Sequence, residues 1–256
     1  MKNVKIFSTL LFLLFISSMT FAQVKGSGKV KKDDSRKVGD FTKIHIATGI
    51  DGFVKIGNEN KIVLEADDNV LKHIKTEVKD GELKVWLYRT VKKTTKLKAY
   101  ITVKKIEGLK ASSGADLEVE GLIKGDKLTA KVSSGADMEF SADVNEFFGN
   151  ASSGADMDIA KLIAKKANIK TSSGADITIE DGSVDDLEVN SSSSGDIQAY
   201  DFTAQHCNAR VSSGSGINIH VVQSLNATAS SGGEVSYKGD PQVEKKKYSG
   251  GSVSRR

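Results

Sequence analysis

The chain has 256 residues, with 37 Lys and Arg against 33 Asp and Glu, one Cys, one Pro, 24 Gly and only 6% aromatic residues. A net charge of +4 gives no whole-chain field toward nucleic acid or an anionic membrane, and the basic residues lack the interleaved aromatics of a nucleic-acid surface. One Cys excludes an internal disulfide, and scarce aromatics among abundant Gly, Ser, Ala and Val favour thin repeated layers over one bulky core.

Residues 1–22 read as a secretory signal peptide. Lys2 and Lys5 open it, 6–16 is apolar, and Thr20-Phe21-Ala22 fits a small-x-small cleavage site. The apolar run is too short for a comfortable bilayer span, and no later run is long enough to be transmembrane. The expectation is an exported protein, in the periplasm, on the outer-membrane surface or outside the cell. Residues 23–40 are charged and Gly-containing, which predicts a flexible lead-in.

From Phe41 the pattern turns strand-like, with Ile44 and Ile46, then Phe53, Val54 and Ile56, then Ile62 to Leu64. Val70, Leu71 and Ile74 after Asp67 and Asp68 predict one short helical turn. Asp80-Gly81 predicts a hairpin or tight turn, and Leu97, Ala99, Ile101 and Val103 one more strand. This region, 41–110, is expected to close the open end of the repeats that follow.

Residues 111–238 repeat. Ser-Ser-Gly-Ala-Asp occurs at 112–116, 133–137, 152–156 and 172–176, and weaker copies carry the series to residue 234. The marker glycines are Gly114, Gly135, Gly154, Gly174, Gly195, Gly214 and Gly232, with a last echo at Gly250; their gaps are 21, 19, 20, 21, 19, 18 and 18 residues. Apolar and polar residues alternate on both sides of each marker, the signature of strands with one buried face. Each unit is therefore strand, corner, strand and bend. The corner glycine is expected at positive φ, and the serines are expected to replace ladder bonds lost there. One unit cannot bury its apolar face alone, so units must stack. The predicted fold is all-β, a parallel β-helix (β-solenoid), right-handed by the crossover rule, with ~20-residue coils and a less regular N-terminal β cap. Residues 157–170 could pass as an amphipathic helix by propensity, but the repeat assigns them to strand. The extra Ser before Gly195 predicts a bulge. Residues 239–256 form a C-terminal coil and tail whose charges protect the far end.

The Phe41-x-x-Ile44 lead-in, the Ala66-Asp67-Asp68-Asn69-Val70-Leu71 run, Asp80-Gly81-Glu82-Leu83 and the serial Ser-Ser-Gly corners resemble the head GIN domain family of auto-transporter adhesins. The likeness spans roughly 41–253. It implies a β-solenoid at the cell surface or in the periplasm, adhesion to a glycan or protein surface ligand, and no catalytic residues.

Aligned coils place Asp116, Asp137, Asp156 and Asp176 in one outward column, and Glu118, Glu139 and Asp158 in the next. Lys110, Lys131, Lys170 and Arg210 form a basic strip before the corner. The acidic strip has three readings: carboxylates splayed into solvent near Ser hydroxyls and lysines, a divalent-cation strip, since Ca²⁺ prefers clustered carboxylates, or a partner-docking strip. No other cofactor is expected. Cys207 falls on an inward position and reads as a small core residue, with His206 on the opposite face. Trp86 and Tyr88 share a strand face, as part of the cap or as a small sugar-stacking site. There is no Gly-x-Ser-x-Gly elbow, phosphate loop or zinc spacing. The function expected is a non-enzymatic binding, adhesion or structural solenoid. The alternatives are a carbohydrate-active β-helix enzyme, which would need a cleft built by long loops, and a divalent-cation-binding repeat protein.

Overall fold

The computed structural model describes residues 23–256; the signal-peptide reading of residues 1–22 lies outside them. Among the described residues there is one α-helix, the single turn Asp68–Leu71, and the other regular elements are strands. The strands of the repeat pair parallel, coil upon coil, and make a β-solenoid. The stretch that could have passed as a helix lies inside the strand Asp156–Ser172, in register with the coils on both sides.

One coil shows the principle. In Asp137–Ser152 the side chains of Met138, Phe140, Ala142, Val144, Phe147 and Ala151 are buried, and their neighbours point outward. Pairing with the next coil breaks between Phe140 and Ser141 and skips Asn145. Each coil therefore has three straight sides: one after the Ser-Gly corner, one in the middle, and one leading back to the next corner. Apolar residues of successive coils stack inside, Phe140 over Ile159 and Phe147 over Ala167, and within the coil the Phe140 and Phe147 rings meet across the interior at 6.0 Å. Of the hydroxyls that enter this core, Thr171 and Ser191 share a 2.7 Å hydrogen bond and Ser191 donates to the Gly195 carbonyl, whereas Ser215 Oγ is buried with no partner among the described residues.

The corner is a left-handed pair rather than one glycine. Ser134 and Gly135 have φ of 61° and 62°, and Ser113 and Gly114 have 59° and 67°. Left-handed backbone is costly for a residue with a Cβ, so the fold must compensate at each serine. It does so through the backbone, not through the hydroxyls. The Ser134 N–H donates to the Ser152 carbonyl and the Gly135 N–H to the Ser153 carbonyl, both at 3.2 Å, and the corners above and below repeat the pattern. The coil-to-coil bonds thus run through the corner, and the ladder that the serines were expected to replace is kept.

Two sequence expectations at the corners are corrected. Gly195 is not a corner glycine: Ser193 and Ser194 carry the positive φ, 54° and 61°, and Gly195 takes the place held by alanine in the earlier coils. Asp196 consequently stays opposite Asp176 and Gly216. The extra serine slides the glycine by one residue within an unbroken register, and no bulge forms. A corner also precedes the repeat, at Thr48-Gly49, with φ of 63° and 68°. Its N–H groups donate to Ser112 and Ser113, and the Thr48 hydroxyl accepts the Leu87 N–H at 2.7 Å.

The two ends are closed differently. At the N-terminal end, Glu82–Leu87 pairs with Lys43–Ala47, and Leu97–Val103 pairs with Asp51–Ile56. Antiparallel strands then finish the sheet: Ile74–Lys79 through the Asp80-Gly81 turn, and Lys61–Asp67 followed by Val30–Asp33. The lead-in 23–40 is therefore not free chain. Val24–Lys25 pairs with Val91–Lys93, and the Arg36 guanidinium donates to the Ile74 and Leu71 carbonyls and to Asp33. The Asp-Asp-Asn run clasps it further: Asp67 accepts the Gly28 N–H, Asp68 the Ser27 hydroxyl, and Asn69 the Ser27 N–H. At the other end, Gln242–Lys247 places Lys245 opposite Ala227 and Lys247 opposite Ala229. Those alanines are core positions. Lysines at inward positions of an edge strand oppose further strand addition.

Candidate binding faces

The acidic strip forms as the repeat predicts, and it is longer than the marker motif indicates. Asp51, Asp116, Asp137, Asp156, Asp176 and Asp196 are consecutive partners across six strands. The neighbouring column runs Phe53, Glu118, Glu139, Asp158 and Thr178. Partial burial, followed by the charge of column neighbours, raises the carboxyls of Asp116 and Asp137; at Asp158 partial burial comes first, then the charges of Asp156 and Glu180. At Asp176 burial also raises the carboxyl, against an opposing bond from the Asp196 N–H. The Gly216 N–H bonds Asp196 in the same way at 2.7 Å. The upper part of the two columns, from Asp51 and Phe53 to Asp137 and Asp158, lines a shallow depression of about 270 Å³. Among the described residues, no three His, Cys, Asp or Glu side chains come together in a way that could hold a metal ion. The strip is a ladder and not a cage.

The head of the second column is aromatic. Phe53 and Tyr100 stack at 5.5 Å, and Lys98 Nζ stands 4.7 Å over the Phe53 ring. Motif reading does not reach this pair, because Tyr100 lies on a strand outside the repeat.

The basic strip also forms. Lys110, Lys131, Lys170 and Arg210 occupy one column, interrupted by Asn150 and Asn190. Above them stand His45 and Lys84. His45 is buried against Ser112 at 3.0 Å. Burial first, then the charges of Lys110 and Lys84, brings its pKa down to about 4.

A third feature lies on the side of the coil that leads into the corner. A groove of about 440 Å³ has the buried Phe147, Ala167 and Leu187 as its floor, and Phe148, Asn168, Glu188 and Asn208 along one wall. Those four wall residues form one outward column. The alternation that places Phe147 inward places Phe148 outward, so this wall was within reach of the sequence.

Cys207 is buried, and burial pushes its thiol far up. His206 points away from it and meets the Ser224 hydroxyl at 2.8 Å. Trp86 lies under Lys84 Nζ at 5.1 Å, and the exposed Tyr88 bonds His73 at 3.1 Å under Lys75.

The family described as "Putative auto-transporter adhesin, head GIN domain" matches residues 40–241. Among solved structures, a "putative adhesin" from Parabacteroides merdae is 23% identical with a TM-score of 0.87, covering 91% of this chain and 99% of its own. A "putative adhesin" from Parabacteroides distasonis is 24% identical with a TM-score of 0.87, covering 91% and 100%. A "putative lipid binding protein" from the same organism is 20% identical with a TM-score of 0.85, covering 91% and 99%. These likenesses establish the fold. No curated protein shows significant sequence similarity to the chain.

Proposed function

The chain belongs to the head GIN domain family of auto-transporter adhesins, and from that premise we propose that it is an exported, non-enzymatic binding module that presents its faces to a surface ligand. The observation that carries this reading is the unbroken register from Asp51 to Asp196 and along the parallel columns. It holds chemically uniform rows of side chains at the strand spacing of ~4.8 Å on a stiff support, which is what contact with an extended partner requires. The signal-peptide pattern at 1–22 supports export. No helix among the described residues is long and apolar enough to cross a membrane. The exposed aliphatics Ile56, Ile163 and Val222 belong to different coils, which favours polar ligands over a lipid.

The test is protease shaving of intact cells, paired with adherence of wild-type and deletion strains to glycan and matrix-protein coatings. The reading requires the chain to be cut on intact cells and adherence to fall in the deletion strain. A chain cut only after lysis, with adherence unchanged, overturns it.

A further inference from the structure

We infer that the groove over Ala167 is a binding site for a neutral sugar unit, with Phe148 as its stacking platform and Asn168 as its central hydrogen-bonding group. The inference rests on the binding-module reading and gives it a ligand class and a place.

The groove is hollow for a sequence reason. In the inward column the small Ala167 stands between Phe147 and Leu187, so the floor dips where its neighbours are large. Phe148 and Asn168 are register partners on adjacent coils, with Lys170 Nζ 5.6 Å over the Phe148 ring. The Asn168 amide nitrogen donates to Glu188 Oε2 at 2.8 Å, while Asn168 Oδ1 is buried with no partner among the described residues. A buried acceptor without a donor is costly. Exchanging the amide oxygen and nitrogen would set an acceptor against Glu188 Oε2, so the orphan is the oxygen, and a hydroxyl group can donate to it.

The surroundings select against charge. Glu188 is held by Asn168, Asn190 and Arg210, the last two at 3.3 Å each. Glu146 faces Lys127 at 3.7 Å. An aromatic face beside fixed, mutually compensated polar groups and an unpaired amide suits a ligand with one C–H face and several hydroxyls. A neutral pyranose has that form; the lining column Lys127, Glu146, Lys166 and Asp186 alternates in sign from coil to coil and offers an anionic sugar no net cationic field.

The experiment probes the purified chain against an array of immobilised neutral and anionic oligosaccharides, followed by titration calorimetry with the best neutral binder. The expected result is retention on neutral glycans, with Phe148→Ala and Asn168→Ala each weakening affinity about tenfold, equivalent to about 1.4 kcal/mol. Phe148→Trp is expected to keep affinity, and Tyr248→Ala, at an exposed aromatic that lines neither the groove nor the acidic columns, to leave it unchanged. Melting curves matching wild type certify the folding of each variant; Phe148→Ala and Phe148→Trp alone suffice if Asn168→Ala does not fold. Retention on no neutral glycan, on anionic glycans only, or with affinity indifferent to Phe148 overturns the inference. Adherence of cells carrying Phe148→Ala separates the two readings. Unchanged adherence rejects the groove and leaves the binding module standing, whereas no adherence by wild type rejects the module.

Discussion

Neutralising one carboxylate in the middle of the acidic ladder should stabilise this protein. Asp137 stands between Asp116 and Asp156 in strict register, and no salt bridge to a Lys or Arg joins any of the three among the described residues. At the ~4.8 Å strand spacing each like-charge pair costs about 0.9 kcal/mol in water, so two neighbours cost about 1.7 kcal/mol before screening. At physiological ionic strength, with a Debye length of about 8 Å, roughly half of that survives. Asp137→Asn keeps the shape and removes the charge, so a gain of about 1 kcal/mol is expected at pH 7, shrinking to a few tenths in 1 M salt. The pH sign follows from the raised carboxyl. A group whose folded pKa lies above its unfolded value contributes stability below the unfolded pKa and loses it as pH rises through the folded one. Wild type and variant should therefore converge as pH falls toward the carboxylate range and separate near neutrality. Chemical denaturation of both proteins at two pH values and two salt concentrations measures this. A destabilised variant, or a gain indifferent to salt and pH, would refute the ladder electrostatics.

The corner makes a paired prediction. Gly135 at φ 62° should resist substitution, with Gly135→Ala costing about 1–2 kcal/mol, whereas Ser194→Gly should stabilise by a similar amount, because Ser194 holds φ 61° where other coils place glycine; urea midpoints decide both. Phe140 is 1% exposed, so Phe140→Ala should cost about 3–5 kcal/mol through the cavity it leaves, again read from denaturation. At Asp67 burial raises the carboxyl, but the Gly28 and Thr95 N–H groups outweigh it and hold the group below its ordinary value; its stabilisation is present above the unfolded pKa and lost in acid, so Asp67→Asn should speed amide exchange at residues 27–29 near neutral pH and abolish the acid-induced increase. Because the acidic columns form a ladder without a converging cage, Ca²⁺ at millimolar concentration should leave the melting temperature unchanged; a rise that grows with concentration would reveal a site.

The solenoid was legible because its signal is arithmetical: Ser-Ser-Gly at near-constant spacing, flanked by period-two alternation, allows few other arrangements. The same frame overrode helix propensity at 157–170. It misled at Gly195 for an equally physical reason. Serine tolerates the left-handed conformation when both neighbouring coils bond its backbone, so glycine is a marker of the corner and not its cause. The Thr48-Gly49 corner escaped notice because it lacks the serine pair, and because 62 residues, 50–111, intervene before the chain reaches Ser112 in the coil that receives its bonds. The lead-in looked flexible by composition, yet its partners, Asp67, Asp68, Asn69 and the Ile74 carbonyl, lie about forty residues downstream. Composition is blind to such clasps. The columns of the candidate faces followed from offset alone, whereas the Phe53–Tyr100 stack and the orphan oxygen of Asn168 depend on pairings that only the folded chain displays.

The stacking itself can be tested by oxidative cross-linking of paired cysteines in a Cys207→Ala background. Asp137→Cys with Asp156→Cys joins register partners whose strand separation lies within disulfide reach, and this pair should close on mild oxidation. Asp137→Cys with Asp158→Cys, displaced by two residues along the neighbouring strand, exceeds the ~7 Å limit and should stay reduced. Efficient closure of the displaced pair, or failure of the in-register one, would contradict the columns on which the faces are built.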